Sequence, residues 1–312
     1  MNLLRPALAV ALSLLTNSAF AQTIESCDTS FAYDSPPARA ITLNQQATEV
    51  MLALGLEDRM IGTAYLDDTI PDQWLEAYNS VPVLSDRYPA REVVLAENPD
   101  FLFAGFASAF NDTNLGAEAE WHDIGIGTYV VNAECRNQHP ADIRMTTDPI
   151  FIDLESIGAL FGVEDKADAL AGNIRTRLDA AATGASGAGL TAFLFDSGTD
   201  TAFSAACCGA PGLLMESVGL ENIAGDIEGR WADLAWETVA TADPDVIILI
   251  EAEWSTAEEK RAQLESDPVL SQLRAVRQRN YVVVPFSETI LGLRFVDGVE
   301  RLAAGLQQLD LN

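Results

Sequence analysis

Through the middle of the chain apolar residues recur at three- and four-residue steps: Ile150, Leu154, Ile157, Leu160 and Phe161, then Ala167, Leu170, Ile174 and Leu178. That spacing puts them on one face of a helix, predicted over 148–183 with a break near Gly162. Unbroken, it would be about 50 Å long at 1.5 Å per residue. On either side the pattern changes to short apolar runs alternating with helical stretches. Before it, strands are predicted at 39–43, 61–64, 101–104 and 128–131, with helices after Thr48, at Glu92 and over 115–124. Residues 22–37 predict an edge strand or two and a turn, and 67–78 reads as a polar excursion. After it come strands at 190–195, 246–249 and 281–284, a stretch at 207–225 resembling that at 47–62, and helices over 257–264 and over 297–309. Strand alternating with helix is the pattern of a parallel sheet flanked by helices.

The two flanks echo each other. Glu92-Val93-Val94 leads to Pro99-Asp100 and the apolar run Phe101-Leu102-Phe103, and Glu237-Thr238-Val239 leads to Pro244-Asp245 and Val246-Ile247-Ile248-Leu249. Both read E-x-V-x4-P-D and then a strand. A second pair, Gly55-Leu56-Glu57-Asp58 and Gly219-Leu220-Glu221-Asn222, follows a helical stretch on each side. The expected fold is α/β: two Rossmann-like lobes, each a mostly parallel sheet flanked by helices, joined by one long helix. The boundaries are a leader at 1–21, an N-terminal lobe at 22–147, the linking helix at 148–183 and a C-terminal lobe at 184–312.

The leader follows from Arg5, the apolar run after it and the small residues Ala19 and Ala21, which together read as a secretory signal cut after Ala21. The expected product is periplasmic, without membrane insertion. About 290 residues then remain, a length at which one core usually divides into two. With 47 acidic residues against 18 basic the formal charge is −29, which repels nucleic acid and anionic lipid and excludes both as partners. Four cysteines stand beyond the leader: Cys27, Cys135, Cys207 and Cys208. Export permits disulfides. Cys27 and Cys135, both in the first half and outside the helical patterns, are the favoured pair, which leaves Cys207-Cys208 free or joined in a ring. Pairing of Cys27 and Cys135 each with one of the adjacent two is the alternative.

Glu92 and Glu237 each begin a short helix, where a carboxylate is stabilised by the helix N-terminus. As equivalent positions on two lobes they also present like charges to a two-fold partner bearing arginines. The order R-A-I-T-L, A-T-E-V-M-L-A-L-G-L, G-T, E-x-V-x4-P-D, long helix, G-L-E-N-I-A-G-D and W-E-x-V-x4-P-D resembles the periplasmic substrate-binding proteins of ABC importers for iron-siderophores and cobalamin, over about 37–309. The resemblance implies a ligand cleft between two lobes on a rigid helix, and a glutamate on each lobe, Glu92 and Glu237, that contacts arginines of the membrane permease dimer. It implies a monomer with no intrinsic cofactor, any metal arriving within a bound chelate.

In such proteins the cleft is lined by strand-end loops. On the first lobe these supply Asn44, Gln45, Tyr65, Tyr88, Phe106 and Phe110. On the second they supply Cys207, Cys208, Arg230, Trp231, Trp254 and Arg294, the last beside Phe295. Aromatic faces with a few arginines suit a large, partly anionic organic ligand. A ferric siderophore comes first and cobalamin second. The segments 252–260, 267–273 and 281–286 also look like a branch that carries a deazaflavin precursor. A sensor or scavenger working without a permease is the other class. Direct capture of a bare metal is not expected, since His122 and His139 both fall in the first lobe without paired ligands. No catalysis is expected either. Asp196-Ser197-Gly198-Thr199 has no second copy to share a proton with, Cys207-Cys208 lacks the C-x-x-C spacing, and no nucleotide-binding motif is present.

Overall fold

A computed structural model of the chain describes residues 21–184 and 187–309, so the expected leader, apart from Ala21, lies outside the described residues. Strands β1 (Gln22–Ser26) and β2 (Thr29–Tyr33) pair as an antiparallel hairpin. Strands β3 (Ala40–Leu43), β4 (Met60–Ala64), β5 (Val83–Ser85), β6 (Phe101–Ala104) and β7 (Gly127–Val130) follow, interleaved with helices α1 (Gln45–Ala53), α2 (Asp72–Asn79), α3 (Arg91–Ala96) and α4 (Glu118–His122). They form one parallel sheet in the order β5-β4-β3-β6-β7. Helices α5 (Asp148–Phe161) and α6 (Glu164–Gly184) link it to the second half.

There β8 (Thr191–Phe195), β9 (Ala202–Ala205), β10 (Glu221–Asn222), β11 (Trp231–Leu234), β12 (Val246–Glu251) and β13 (Tyr281–Pro285) alternate with α7 (Ala210–Ser217), α8 (Trp236–Ala242), α9 (Ala257–Ser266), α10 (Arg274–Gln278) and α11 (Phe295–Gln308). A second parallel sheet runs β10-β8-β12-β13, with β9 and β11 paired beside it as an antiparallel ribbon. The two parallel sheets share no strand, so the chain has two lobes.

Strand alternation sorts the core. Phe101 and Phe103 of β6, and Ala192 and Leu194 of β8, face the linking helices and join one apolar cluster that runs through both lobes, with Val50, Ile157, Ile174 and Leu302. Leu102 and Ala104 face the other way, into a cluster around Trp121, and Phe193 and Phe195 into another around Leu249. The lobes are thus fused by a common core on the linking-helix side and packed independently on the opposite side.

The linking helix is two helices rather than one. Gly162 takes a left-handed conformation (φ 68°, ψ 38°), and the Val163 N–H returns to the Gly158 carbonyl at 2.8 Å, the bonding that closes a helix C-terminus. A side chain at Gly158 would meet Ala167 Cβ at 2.6 Å, so the first turn of the second helix packs close against the end of the first. Buried Asp153 fastens α5 to the first lobe by accepting from Tyr129 Oη (2.7 Å) and the Asn132 N–H (2.8 Å). Lys166 caps the last turn of α1 through the Leu54 carbonyl, and Arg177 pairs with Asp297 and Glu300 on α11. Helix α6 therefore holds both lobes.

Other differences from the sequence reading are local. The polar excursion at 67–78 contains α2, whose Trp74, Ala77 and Tyr78 stand at helical spacing and pack on the core, a pattern too short to outweigh its charged surroundings. The helix expected over 115–124 shrinks to α4 because Gly116 (φ 79°) closes a turn with the Asn111 carbonyl. Cys27 and Cys135 are bonded, tying the β1–β2 hairpin to the turn after β7, and Cys207 is bonded to Cys208.

Candidate functional site: the interlobe cleft

Parallel strands all end on the same side of a sheet, and the loops that leave those ends form the natural crevice. In the first lobe the ends of β3 and β4 carry Asn44 and Tyr65, both with positive φ (72° and 59°). Asn44, with ψ 165°, lies in a region almost confined to glycine, so it is held there by its surroundings. A tyrosine at positive φ costs about 1–3 kcal/mol and likewise marks a conformation held by its surroundings. Both keep the sheet bonding going, Asn44 N–H to Ala64 and Tyr65 N–H to Ser85. The Tyr88 hydroxyl lies 3.0 Å from Asn44 Oδ1 and 2.9 Å from Ser108 Oγ, and the Tyr88 ring meets Tyr65 edge-on. Arg87 covers the Tyr65 ring.

Two arginines from the second lobe clasp the first. Arg230 binds Glu134 Oε1 (3.0 Å) and the carbonyls of Ala133 and His139, beyond β7. Arg294, 8 % exposed, reaches Asp68 (3.3 Å) and the Thr69 carbonyl, beyond β4, while its other nitrogen meets Glu288 (3.3 Å). Ser287 donates to Asp68 as well. Glu49, buried beneath this second clasp, has its carboxyl pushed up to about 8 by burial. Arg294 thus bridges the lobe junction, where with Glu288, Thr69 and Pro71 it lines a further cavity of about 790 Å³, and Phe295 beside it is fully buried core.

Two cavities are lined by residues of both lobes. One, about 220 Å³, is lined from the first lobe by Gln46, Gly105, Phe106, Glu134 and Arg136, and from the second by Pro211, Arg230, Trp231 and Leu291. The Trp231 ring is backed by Phe203, stacked at 5.1 Å. The other, about 500 Å³, is lined by Tyr65, Asp67, Tyr78, Asp86 and Arg87 with Glu253 and Trp254 across the gap. Trp254 rests edge-on against Phe286, half exposed. Burial pushes the Asp67 carboxyl up to about 6.

Of the sequence-predicted cleft residues, Phe106, Arg230 and Trp231 meet in the first cavity and Tyr65 and Trp254 in the second. Asn44 and Tyr88 stand behind the strand ends as a hydrogen-bonded pair. Gln45 is buried and donates to Glu49, and Phe110 packs against the first-lobe core, so neither lines these two cavities. The Cys207–Cys208 ring is also behind the wall: its two N–H groups bond the Ile227 and Gly229 carbonyls, shaping the turn that presents Arg230. Sequence reasoning passed over Gln46, Gly105 and Arg136. The first two sit one or two places beyond a cleft residue or a strand end, the positional signal that would have found them.

Glu92 and Glu237 occupy the second positions of α3 and α8, after Ala90 and Ala235 in nearly identical extended conformations (φ −62°, ψ 147° and φ −62°, ψ 141°). Each short helix runs directly into a parallel strand, β6 or β12, so its N-terminus lies at the end where the cleft opens. Both glutamates are exposed. Among the described residues no group of His, Cys, Asp or Glu is arranged to hold a metal ion, and no helix is long and apolar enough to cross a membrane.

Comparison with known proteins agrees with this geometry. Residues 41–288 match the family described as periplasmic binding protein. A periplasmic binding protein from Veillonella parvula has the same fold with a TM-score of 0.80, at 26 % identity, over 93 % of this chain and 98 % of its own. The ABC-type Fe3+-hydroxamate transport protein of Saccharomonospora viridis follows at a TM-score of 0.75 and 22 % identity, over 92 % and 99 %. The uncharacterized ABC transporter substrate-binding lipoprotein YvrC of Bacillus subtilis is 26 % identical over 283 residues, 86 % of this chain and 80 % of its own. The chain belongs to the periplasmic binding protein family, as a non-catalytic solute-binding component of an ABC importer.

Proposed function

We propose that this protein captures a ferric siderophore in the interlobe cleft and hands it to a membrane permease dimer driven by an ATPase inside the cell. The observation that carries the reading is the charge of the smaller cavity. In a chain of formal charge −29, that cavity has Arg136 and Arg230 against Glu134 alone, beside the rings of Phe106 and Trp231. Cationic and aromatic groups together suit a conjugated, partly anionic chelate. One arm of the chelate enters the 220 Å³ cavity and the bulk lies across the cleft toward the 500 Å³ cavity. The similarity to an Fe3+-hydroxamate transport protein supports an iron chelate without naming it. Glu92 and Glu237 dock on permease arginines, and because the lobes share one core, closure on the ligand is slight.

Native mass spectrometry of protein taken from its own periplasm, followed by quenching of Trp231 and Trp254 fluorescence, tests this. Ferric siderophores should quench saturably and bare iron should not. Saturable quenching by cobalamin or free metal, with none by any ferric siderophore, refutes the ligand assignment.

A further inference from the structure

The two interlobe cavities carry opposite charge. The smaller has Arg136 and Arg230 against Glu134. The larger, about 500 Å³, is lined by Asp67 and Asp86 from the first lobe and Glu253 from the second, against Arg87. Among the described residues none of these three carboxylates forms an ion pair. They repel across the gap. The Asp67 carboxyl, pushed up to about 6 chiefly by burial, is raised further by the charges of Asp68 and Glu253 in spite of the attraction of Arg87. At pH 7.5 it is still mostly ionised. The rest of the wall is aromatic, with Tyr65, Tyr78 and Trp254. One of these rings already holds a cation, since the Arg87 guanidinium lies 4.9 Å from the Tyr65 centroid. Trp254 is 49 % exposed and backed by Phe286. Carboxylates beside aromatic faces attract an organic cation through both charge and ring quadrupole. No group of His, Cys, Asp or Glu among the described residues is arranged to hold a bare metal ion, so the fitting cation is a group carried on an organic molecule.

We infer that the cleft takes a dipolar chelate, with electron-rich oxygens toward Arg136 and Arg230 and an ammonium group at the opposite end, seated between Asp67, Asp86 and Glu253. The ammonium offsets the repulsion of the three carboxylates, and by answering Glu253 of one lobe and Asp67 and Asp86 of the other it draws the lobes together. Trp254 and Tyr78 cover the alkyl stem that carries it. A neutral arm of the same length fills the space but leaves the like charges facing each other. The inference rests on the cleft being the ligand site, as proposed above, and adds the charge pattern of the ligand.

Ferrioxamine B, a ferric trihydroxamate with one free primary ammonium, and its N-acetyl derivative share the iron centre and differ by that charge. Tryptophan quenching by each is followed at low salt in the unaltered protein and in the double variant Asp86→Asn with Glu253→Gln. Both positions are exposed, and thermal unfolding confirms that the variant is folded. The expected result is that the ammonium form binds about fivefold or more tighter than the acetylated form. The double variant should cut that preference to less than about twofold, and raising salt to about 0.5 M should shrink it in the unaltered protein. The variant removes two of 47 acidic residues, so a preference owed only to overall charge would survive it. Equal binding of the two chelates, tighter binding of the acetylated one, or a preference that survives the double variant overturns the ammonium assignment and spares the cleft. Quenching by neither, while a ferric siderophore without an amine still quenches, does the same. Failure of every ferric siderophore overturns the cleft reading itself.

Discussion

Glu49 provides the sharpest test of how the second clasp is built. The side chain is 2 % exposed, accepts from Gln45 Nε2 at 2.6 Å, and lies 3.8 Å from Arg294. That separation is too long for a hydrogen bond, and Arg294 is closer to Asp68 and Glu288, both at 3.3 Å. Burial therefore outweighs the attraction of Arg294, with Asp68 and Asp297 adding repulsion, and the carboxyl is pushed from 4.5 to about 8. The folded state holds a proton that the unfolded chain has released. Stability from this group is complete below pH 4.5 and is lost as pH rises through the window to about 8, at roughly 1.4 kcal/mol per pH unit.

Glu49→Gln keeps the Gln45 bond and removes the titration. At pH 5 the variant should match the parent within about 1 kcal/mol, and by pH 7.5 it should be more stable by about 3–4 kcal/mol as an upper figure. Urea unfolding, followed by tryptophan fluorescence with disulfides intact, is run for both proteins from pH 4.5 to 9. Asp153, pushed up to about 7, and Asp67, up to about 6, steepen both curves in the same direction, so the difference between proteins isolates Glu49. Parallel curves refute the reasoning. A variant weaker at pH 7.5 would show that Glu49 is ionised and paired with Arg294 after all.

Glu92→Ala combined with Glu237→Ala should leave ligand affinity unchanged and abolish uptake; equal loss of both, measured by quenching and whole-cell transport, removes the docking role. Replacing Cys27 and Cys135 by Ser opens a link between residues 108 apart in sequence, which on chain-entropy grounds costs about 4–5 kcal/mol and shows as a lower urea midpoint, whereas Cys207→Ser with Cys208→Ser, which closes almost no loop, should cost far less. Gly105→Ala forces a methyl toward Gln46 Oε1 and the Asn44 Cβ at 2.9 Å, so ferric siderophore affinity should fall about tenfold or more, against an unfolding midpoint that moves much less.

The alternation of short apolar runs with helical stretches was enough to place both parallel sheets, since a strand buried on both faces reads the same wherever it stands. The echo at Glu92 and Glu237 was legible because each helix start is built from a few contiguous residues. The break at Gly162 was legible as a glycine in a helical pattern, although not that Ala167 of α6 would pack closely against Gly158 of α5. Site residues divided differently. Phe106, Trp231, Tyr65 and Trp254 could be chosen as aromatics beside strand ends. Arg294 could be chosen as a loop arginine in polar surroundings, but nothing local shows that it would bridge the lobes by pairing with Asp68.

Local periodicity and capping, which depend on neighbours within a few residues, determined the elements, their parallel arrangement and the two-lobed plan of this chain. The tertiary structure alone decided which side chains meet between the lobes. Gln46 stands between Gly105 and Gly292 from opposite lobes, and Arg230 spends its outer nitrogens on Glu134 some 96 positions away in sequence. Those pairings arise from distances through space that the order of residues does not encode locally.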